Sequence, residues 1–525
     1  MPYLQGNDTP AESARTPVAL GKLQRRFYEP LVLLLALTRA CMHNHAPRAP
    51  DPLPDVPSHS PAELFKDFIN KLCQICDNKQ GGSAVTAVSA LQYPDRLQYR
   101  FASNQRSEND LLKVKSYLQS IVETLRDYTV ASSLRVKASV LRQIVAFNRP
   151  RLQCYVRNLY SQTQICLETS GISPELSDKI SELRDLALKA DDRELEESKF
   201  FRNCTNLMIF IKTLSKSPAY KSLQEKAVSN TGERSSWAEL RHAAGRLLSY
   251  LQAANTLIEA RKKWECLFHD FEVDYVRSST LLSNPINDKK VTAEAIIGRM
   301  TGDATKMQAY RADAEELQKF DLDLKIKDQV TKSSFKPLVH AEVLVHQSIL
   351  DESGPTGLRS SQFFNGYKYI GSSKPTCRLC DYYFTASASG IEVRETHRNL
   401  YVSWRAPDVY ADQGEAAIKQ RKQVIMKVLD RVREDTFRTL SEKVPERKQH
   451  DSNTDPTFPT WNPGTSVGFD GGGRDADLDD VAASMYQLDL RDSSGEAQEV
   501  RPESPSRASA SSFDADDDEG GARLS

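Results

Sequence analysis

VHAEVLVHQSIL at Val339–Leu350 and PTCRLCDYYFT at Pro375–Thr385 are the two stretches that decide the fold. The first is predicted to be a helix with His340 in its first turn, and the second a short helix that begins with Cys377 and Cys380, three residues apart. One imidazole and two thiolates suit zinc, with a fourth tetrahedral position left to water. A helix N-terminus and a metal ion both favour the thiolate over the thiol. The sequence therefore predicts that these three side chains bind Zn²⁺.

An acidic residue, Glu342, follows the histidine by two positions and is not needed as a ligand. It is placed to take a proton from metal-bound water and return it to a leaving amine. His340-Ala341-Glu342 with the paired cysteines resembles the zinc-dependent cytidine-deaminase-like superfamily, whose signature is H-x-E followed by P-C-x-x-C. It is most similar to the nucleic acid/nucleotide deaminase-like branch found in rickettsial toxins and expanded in fungi. The resemblance implies His340, Cys377 and Cys380 as metal ligands and Glu342 as general acid and base.

Two features depart from that signature. Thr376 separates Pro375 from the first cysteine, and this change falls where it can alter the substrate pocket. The interval from His340 to Cys377 is 37 residues, which is longer than in compact members of the family. The excess lies in the polar, glycine-containing segment 351–366, which we interpret as a loop insertion. Neither departure removes a ligand.

Two other interpretations of the same residues stay open. A purely structural zinc site normally has four protein ligands, and His346 or His397 could supply the fourth. Alternatively, no metal is bound, Cys377 and Cys380 are core residues, and His340 is a surface histidine.

The elements around the motif alternate between helix and strand. Strands are predicted at Tyr367–Ile370 and Asn399–Trp404, and a long charged helix at Gly414–Lys443. Such alternation is typical of a sheet with helices on its faces. The predicted zinc domain spans residues 335–443.

The family fold also contains a helix and a two-strand hairpin ahead of the H-A-E helix. A helix at Pro61–Asp77 and two strands, Ala84–Tyr93 and Leu97–Ala102, occur in that order more than 200 residues upstream. We hypothesise that residues 61–103 are the first part of the deaminase-like domain and that the all-helical region 108–330 is inserted into it, since insertions at surface connections are tolerated.

The alternative is a self-contained C-terminal domain of about 335–440 that lacks one hairpin. The predicted fold class is thus an α/β deaminase-like domain, a mixed sheet with helices on its faces, combined with a large all-α region.

The two ends of the chain are predicted to be flexible. Residues 1–60 contain one helix at about 21–41, whose apolar run Leu31–Leu37 is far shorter than the ~20 residues of a membrane span. We therefore expect a buried helix and no membrane association. Residues 445–525 are predicted to be a disordered acidic tail, with 17 acidic and 5 basic residues after position 450.

The remaining signals are weaker. Nine scattered cysteines indicate a reduced intracellular protein, cytoplasmic or nuclear. Cys73 and Cys76 lie on the apolar face of their helix and are interpreted as core residues. Tyr382 and Tyr383 could stack on a base or belong to the core, and Trp404 with Arg405 could line a groove.

The leading hypothesis is a hydrolytic zinc deaminase that acts on a nucleobase within a nucleotide or single-stranded nucleic acid. The competing hypothesis is a scaffold whose helical region binds a protein partner and whose zinc site is structural. The sequence assigns no substrate-binding residue.

Overall fold

The computed structural model describes residues 16–42, 60–192, 194–229, 235–286, 291–354 and 357–446. The strands within these ranges are β1 Thr86–Gln92, β2 Leu97–Ser103, β3 Phe271–Val276, β4 Tyr369–Ser372 and β5 Glu392–Val393. The helices are α1 Lys22–Ala40, α2 Pro61–Cys76, α3 Glu108–Arg126, α4 Ser133–Phe147, α5 Arg149–Leu167, α6 Pro174–Ala190, α7 Glu197–Leu214, α8 Pro218–Ser229, α9 Ser236–Lys263, α10 Ala293–Met300, α11 Ala304–Glu316, α12 Leu322–Thr331, α13 Ala341–Ser353, α14 Arg378–Ser387 and α15 Gly414–Glu442.

The helix starts follow local capping chemistry. Ser60 accepts a hydrogen bond from the backbone of Glu63, whose side chain reaches back to the Ser60 amide and completes a capping box. Ser173 caps α6 ahead of Pro174. Ser107 and Ser235 cap α3 and α9 in the same way.

All five strands form one mixed sheet in the order β3-β2-β1-β4-β5. β1 pairs antiparallel with β2 on one side and with β4 on the other, while β2–β3 and β4–β5 are parallel pairs. The predicted mixed sheet with helices is therefore confirmed. The upstream hairpin shares this sheet with β4, which is the arrangement that the split-domain hypothesis requires; the domain boundaries stay a prediction.

Two apolar cores lie on opposite faces of the sheet. Val88 and Ala90 of β1 belong to the core formed with α2 and helices α3–α9, whereas Ala87 and Leu91 belong to the core formed with α1 and α10–α15. Neighbouring residues of a strand point to opposite faces, so a strand buried on both sides divides its side chains in this way. The predicted buried helix at the apolar run 31–37 is confirmed as part of α1. Within the described ranges, no helix is long and apolar enough to cross a membrane.

Two predictions of local structure are wrong. The region 108–330 is not entirely helical, because it contains β3, whose alternating Phe271, Val273 and Tyr275 follow the strand period of two. Asn399–Trp404 is not a strand, although Trp404 is fully buried. Its backbone instead bonds to the segment that leads into the H-A-E helix, since Leu338 N–H donates to the Ser403 carbonyl at 2.8 Å. The aromatic and β-branched pattern there reflects burial and not pairing in the sheet.

The predictions for the two ends lie largely outside the described residues. The flexible segments on either side of α1 fall mainly in residues 1–15 and 43–59, and the disordered tail falls in 447–525, none of which is described. Glu446, which was assigned to the tail, is described and pairs with Arg378 at 2.5 Å. All nine cysteines are free thiols.

Candidate metal centre

Two helix starts bring the predicted ligands together. His340 is the residue immediately before α13, and Cys377 is the residue immediately before α14. The Cys377 sulfur accepts a hydrogen bond from the Cys380 amide at 3.4 Å, so it serves as the helix cap. The two cysteines thus lie on the same side of the first turn of α14, facing the start of α13.

The distances among the three donors match the ligand spacing of a zinc ion. His340 Nδ1 lies 3.5 Å from the Cys377 sulfur and 3.4 Å from the Cys380 sulfur. A tetrahedral ion with Zn–S and Zn–N bonds of about 2.3 and 2.0 Å holds sulfur and nitrogen about 3.5 Å apart. All donor atoms of the three residues lie within 4.8 Å of one another. The three residues are therefore close enough to bind one metal ion.

The two histidines considered as a fourth ligand lie outside this cluster. Among the described residues, the cluster of mutually close donors consists of His340, Cys377 and Cys380. His346 Nδ1 is 3.0 Å from the Tyr383 hydroxyl, and His397 Nδ1 accepts the Asn399 amide at 3.0 Å. Three protein donors leave one tetrahedral position for water or substrate, as in catalytic zinc sites.

The charges of the cluster favour a cation. Burial raises the pKa of Cys377, but its contacts with Cys380 and His340 outweigh burial and hold the pKa well below that of a free thiol. Burial lowers the pKa of His340, yet the Cys377 thiolate raises it above the usual value. Burial and the neighbouring Cys377 raise the pKa of Cys380. A divalent ion would favour both thiolates and the neutral imidazole.

Glu342 lies in the first turn of α13 with only 4% of its surface exposed. Its Oε2 atom has no hydrogen-bond partner among the described residues. Burial raises the pKa of this carboxyl, while His340 and the hydroxyl of Ser372 lower it. A buried carboxylate with an unpartnered oxygen is costly for stability, and such groups are typical of functional sites.

Sequence reasoning missed a contact that positions α13. The Asn104 side chain, just after β2, accepts the Ala341 amide at 2.8 Å and donates to the Gly82 carbonyl at 2.9 Å. Ser372 and Ser373 end β4, which runs parallel to β2, so they lie at the same edge of the sheet as Asn104. Polar residues directly after strands could have indicated this edge, since ligands bind at the carboxyl ends of strands in α/β sheets.

The threonine that interrupts the P-C spacing has a structural partner. Thr376 is fully buried, and its hydroxyl donates to the Arg394 carbonyl at 2.6 Å. Its amide donates to the Glu395 carbonyl at 2.9 Å. The extra residue thus ties the start of α14 to the segment that follows β5.

The aromatic residues of this region belong to the core. Tyr382 and Tyr383 are buried, and their hydroxyls contact Asp435 and His346 respectively. Trp404 is fully buried. Arg405 is also buried and donates to the Thr280 carbonyl at 3.0 Å, so the pair does not line an open groove. Cys73 and Cys76 are buried core residues, as predicted.

Comparison with known proteins matches one part of the chain. No curated protein and no solved structure gives a significant match. Residues 339–408, which contain the complete cluster and Glu342, match the model of the OTT_1508-like deaminase family. This segment is therefore deaminase-like.

Proposed function

We propose that the protein is a zinc-dependent deaminase that removes the exocyclic amine of a nucleobase by hydrolysis, the base being part of a nucleotide or a single-stranded nucleic acid. The observation that carries the proposal is Glu342, a buried carboxylate with an unpartnered oxygen, two residues from a donor of a three-ligand cluster. A purely structural metal site does not require a carboxylate that is not a ligand. The family match supports a deaminase in general.

The residues of the site have two roles, metal binding and proton transfer. His340, Cys377 and Cys380 would hold the zinc ion, which supplies a water whose pKa is lowered towards neutrality. Glu342 accepts a proton from that water and delivers it to the amine nitrogen of the base. One water is consumed, the carbon gains a carbonyl oxygen, and the amine leaves as ammonia. Since Cys377 and Cys380 are buried, the base must be unstacked to reach the site.

The test measures metal content and ammonia release separately. Full-length protein and its Glu342→Gln variant are assayed for zinc and for ammonia release from cytosine and adenine compounds offered as nucleosides, nucleotides and single-stranded oligonucleotides. We expect one zinc per chain in both proteins. Loss of a general acid and base lowers the rate by about 10²–10⁴-fold, so the variant should release ammonia that much more slowly.

Two controls separate catalysis from folding. Glu415→Gln makes the same chemical change at an exposed position in the first turn of α15 and should leave both readouts unchanged. His340→Ala should lose zinc. Full activity in Glu342→Gln, or no zinc in the wild type, contradicts the proposal.

Zinc without ammonia release from any substrate favours the scaffold with a structural zinc site. Sequencing nucleic acid from cells that express wild type or Glu342→Gln, scored for C-to-T and A-to-G changes, detects a polynucleotide substrate directly.

A further inference from the structure

Three cationic side chains from separate parts of the chain lie near Ser372 and Ser373 at the end of β4. Arg394 donates to the Ser372 carbonyl, Lys71 follows Asn70, whose side chain accepts the Ser372 amide, and Arg246 lines a cleft with Ser373. Lys71 lies on α2, Arg246 on α9, and Arg394 directly follows β5. All three are half-buried. In the part of the chain that the structure describes, none of them forms an ion pair with a carboxylate. We call these three residues the basic cluster.

The contacts of the basic cluster are to neutral groups. Lys71 Nζ donates to the Gln74 side-chain carbonyl at 3.0 Å, and Arg394 Nη1 donates to the Ser372 backbone carbonyl at 3.1 Å. Arg246 lies over the ring of Tyr155, 5.3 Å from its centre. A lysine has three N–H donors and an arginine five, so most of their donors stay available.

The three cations repel one another. Burial, Arg394 and Arg246 together lower the pKa of Lys71 to about 8, against the effect of Asp67. Burial also raises the pKa of the Asp67 carboxyl, which makes it a weaker counter-charge. Two further acids lie nearby: Glu395 directly follows Arg394, and Asp77, which lines a cleft with Arg246, is paired with the buried Arg151 at 2.5 Å. The cluster therefore holds positive charge that an anion would neutralise.

The basic cluster lies next to the candidate active site. Arg394 connects the two, because its Nη1 donates to the Ser372 carbonyl and its own carbonyl accepts from the hydroxyl of Thr376, the residue before Cys377. The basic cluster and the candidate metal centre are thus neighbours in the structure.

We infer that Lys71, Arg246 and Arg394 bind the terminal phosphate of a nucleotide substrate, an inference that rests on the proposed function. Arginine and lysine are the side chains that bind phosphate in proteins. Three cations that converge from three elements suit one phosphate group, whereas a polynucleotide backbone requires a run of contacts along a groove. Arg246 belongs to the helical region, so that region contributes to the substrate site.

The test is a binding measurement that needs no catalysis. Inorganic phosphate is titrated calorimetrically into the full-length, zinc-loaded protein, with chloride at equal ionic strength as reference. We expect phosphate to bind the wild type. Arg246→Gln and Arg394→Gln each remove a charged contact and should bind phosphate about tenfold or more weakly. Arg246→Gln keeps the test valid if Arg394→Gln does not fold, since the Arg246 guanidinium packs on the Tyr155 ring near the surface of the cluster.

A matched control and a second ligand series complete the test. Arg431→Gln changes an exposed arginine on α15 and should bind phosphate like the wild type. Nucleoside 5′-monophosphates should bind more tightly than the nucleosides, and this preference should disappear in Arg246→Gln. The inference is wrong if phosphate binds no better than chloride, if both variants bind like the wild type, or if an oligonucleotide without a terminal phosphate binds as tightly as the mononucleotide.

The two proposals fail in different ways. Phosphate binding without ammonia release from any substrate contradicts the proposed function and leaves the phosphate site intact. Ammonia release from nucleosides without phosphate binding contradicts the phosphate site and leaves the deaminase intact.

Discussion

Asn104 connects the hairpin to the metal centre, and its replacement tests that connection. The side chain is 8% exposed, accepts the Ala341 amide at 2.8 Å and donates to the Gly82 carbonyl at 2.9 Å. Asn104→Ala removes both hydrogen bonds and leaves the amide at the start of α13 buried without a partner. His340 immediately precedes that amide, so the change acts on the position of a proposed ligand.

The expected cost follows from these two contacts. Each hydrogen bond contributes about 0.5–1.5 kcal/mol net, and a buried group left without a partner costs about 1–3 kcal/mol. We expect Asn104→Ala to lower the free energy of unfolding by about 2–3 kcal/mol. Loss of a group that orients a metal ligand weakens metal binding by about 10–100-fold, and the same is expected here.

Urea unfolding followed by circular dichroism measures the stability, and competition with a colorimetric chelator measures zinc affinity. Asn104→Asp keeps the acceptor for the Ala341 amide and should recover most of the zinc affinity. Asn203→Ala, which removes one exposed hydrogen bond to the Lys189 carbonyl on α6, is the matched control and should change neither. The proposed role of Asn104 is refuted if Asn104→Ala has the same urea midpoint of unfolding and the same zinc affinity as the wild type.

Three further substitutions have defined outcomes. Arg151→Met leaves Asp77 buried without its ion-pair partner and should cost about 3–5 kcal/mol in urea unfolding. Gly371→Ala places a Cβ 2.6 Å from the Ile69 side chain and 3.2 Å from the Asn70 amide nitrogen, so α2 must shift from the sheet at about 1–3 kcal/mol, measured by the same assay. Burial lowers the pKa of His346 from 6.5 to about 4. The folded state therefore disfavours protonation of His346. The neutral side chain contributes at most about 3 kcal/mol to the free energy of unfolding, and this contribution is present above pH 6.5 and lost as the pH falls towards 4. Urea midpoints between pH 4.5 and 7.5 should depend less on pH in His346→Gln than in the wild type.

The parts that sequence predicted well are governed by local chemistry. The start of α2 at Pro61 depends on capping by Ser60 within one turn, and the predicted helix Pro61–Asp77 matches within a residue. The two cysteines and His340 were recognisable because ligand type and spacing are local as well. Their closeness across 37 residues was implied by the family resemblance and is present in the structure.

The parts that sequence missed depend on distant partners. β3 is a six-residue strand that pairs with β2 across more than 160 residues of sequence. The residues near β3 do not indicate which strand it pairs with. The segment 399–404 has strand-like residues, but its backbone bonds to the chain at Leu338. Asn104 directly follows the hairpin, and its role could not be predicted because its partner, the Ala341 amide, lies far away in the sequence. Burial can be predicted from such patterns, whereas the identity of the partner cannot.

These distant partners determine how much of the chain the metal centre needs. Within the matched segment 339–408, β4 pairs with the two-residue β5 on one side, and its other edge pairs with β1. Without the hairpin, β4 would expose an unpaired edge and α13 would lose the Asn104 contact at its first residue. We therefore propose that the deaminase-like unit comprises residues 61–103 together with 335–443. On that basis the helical region is an insertion that returns to the sheet at β3, and Arg246 on α9 lines a cleft with Ser373, the residue that follows β4.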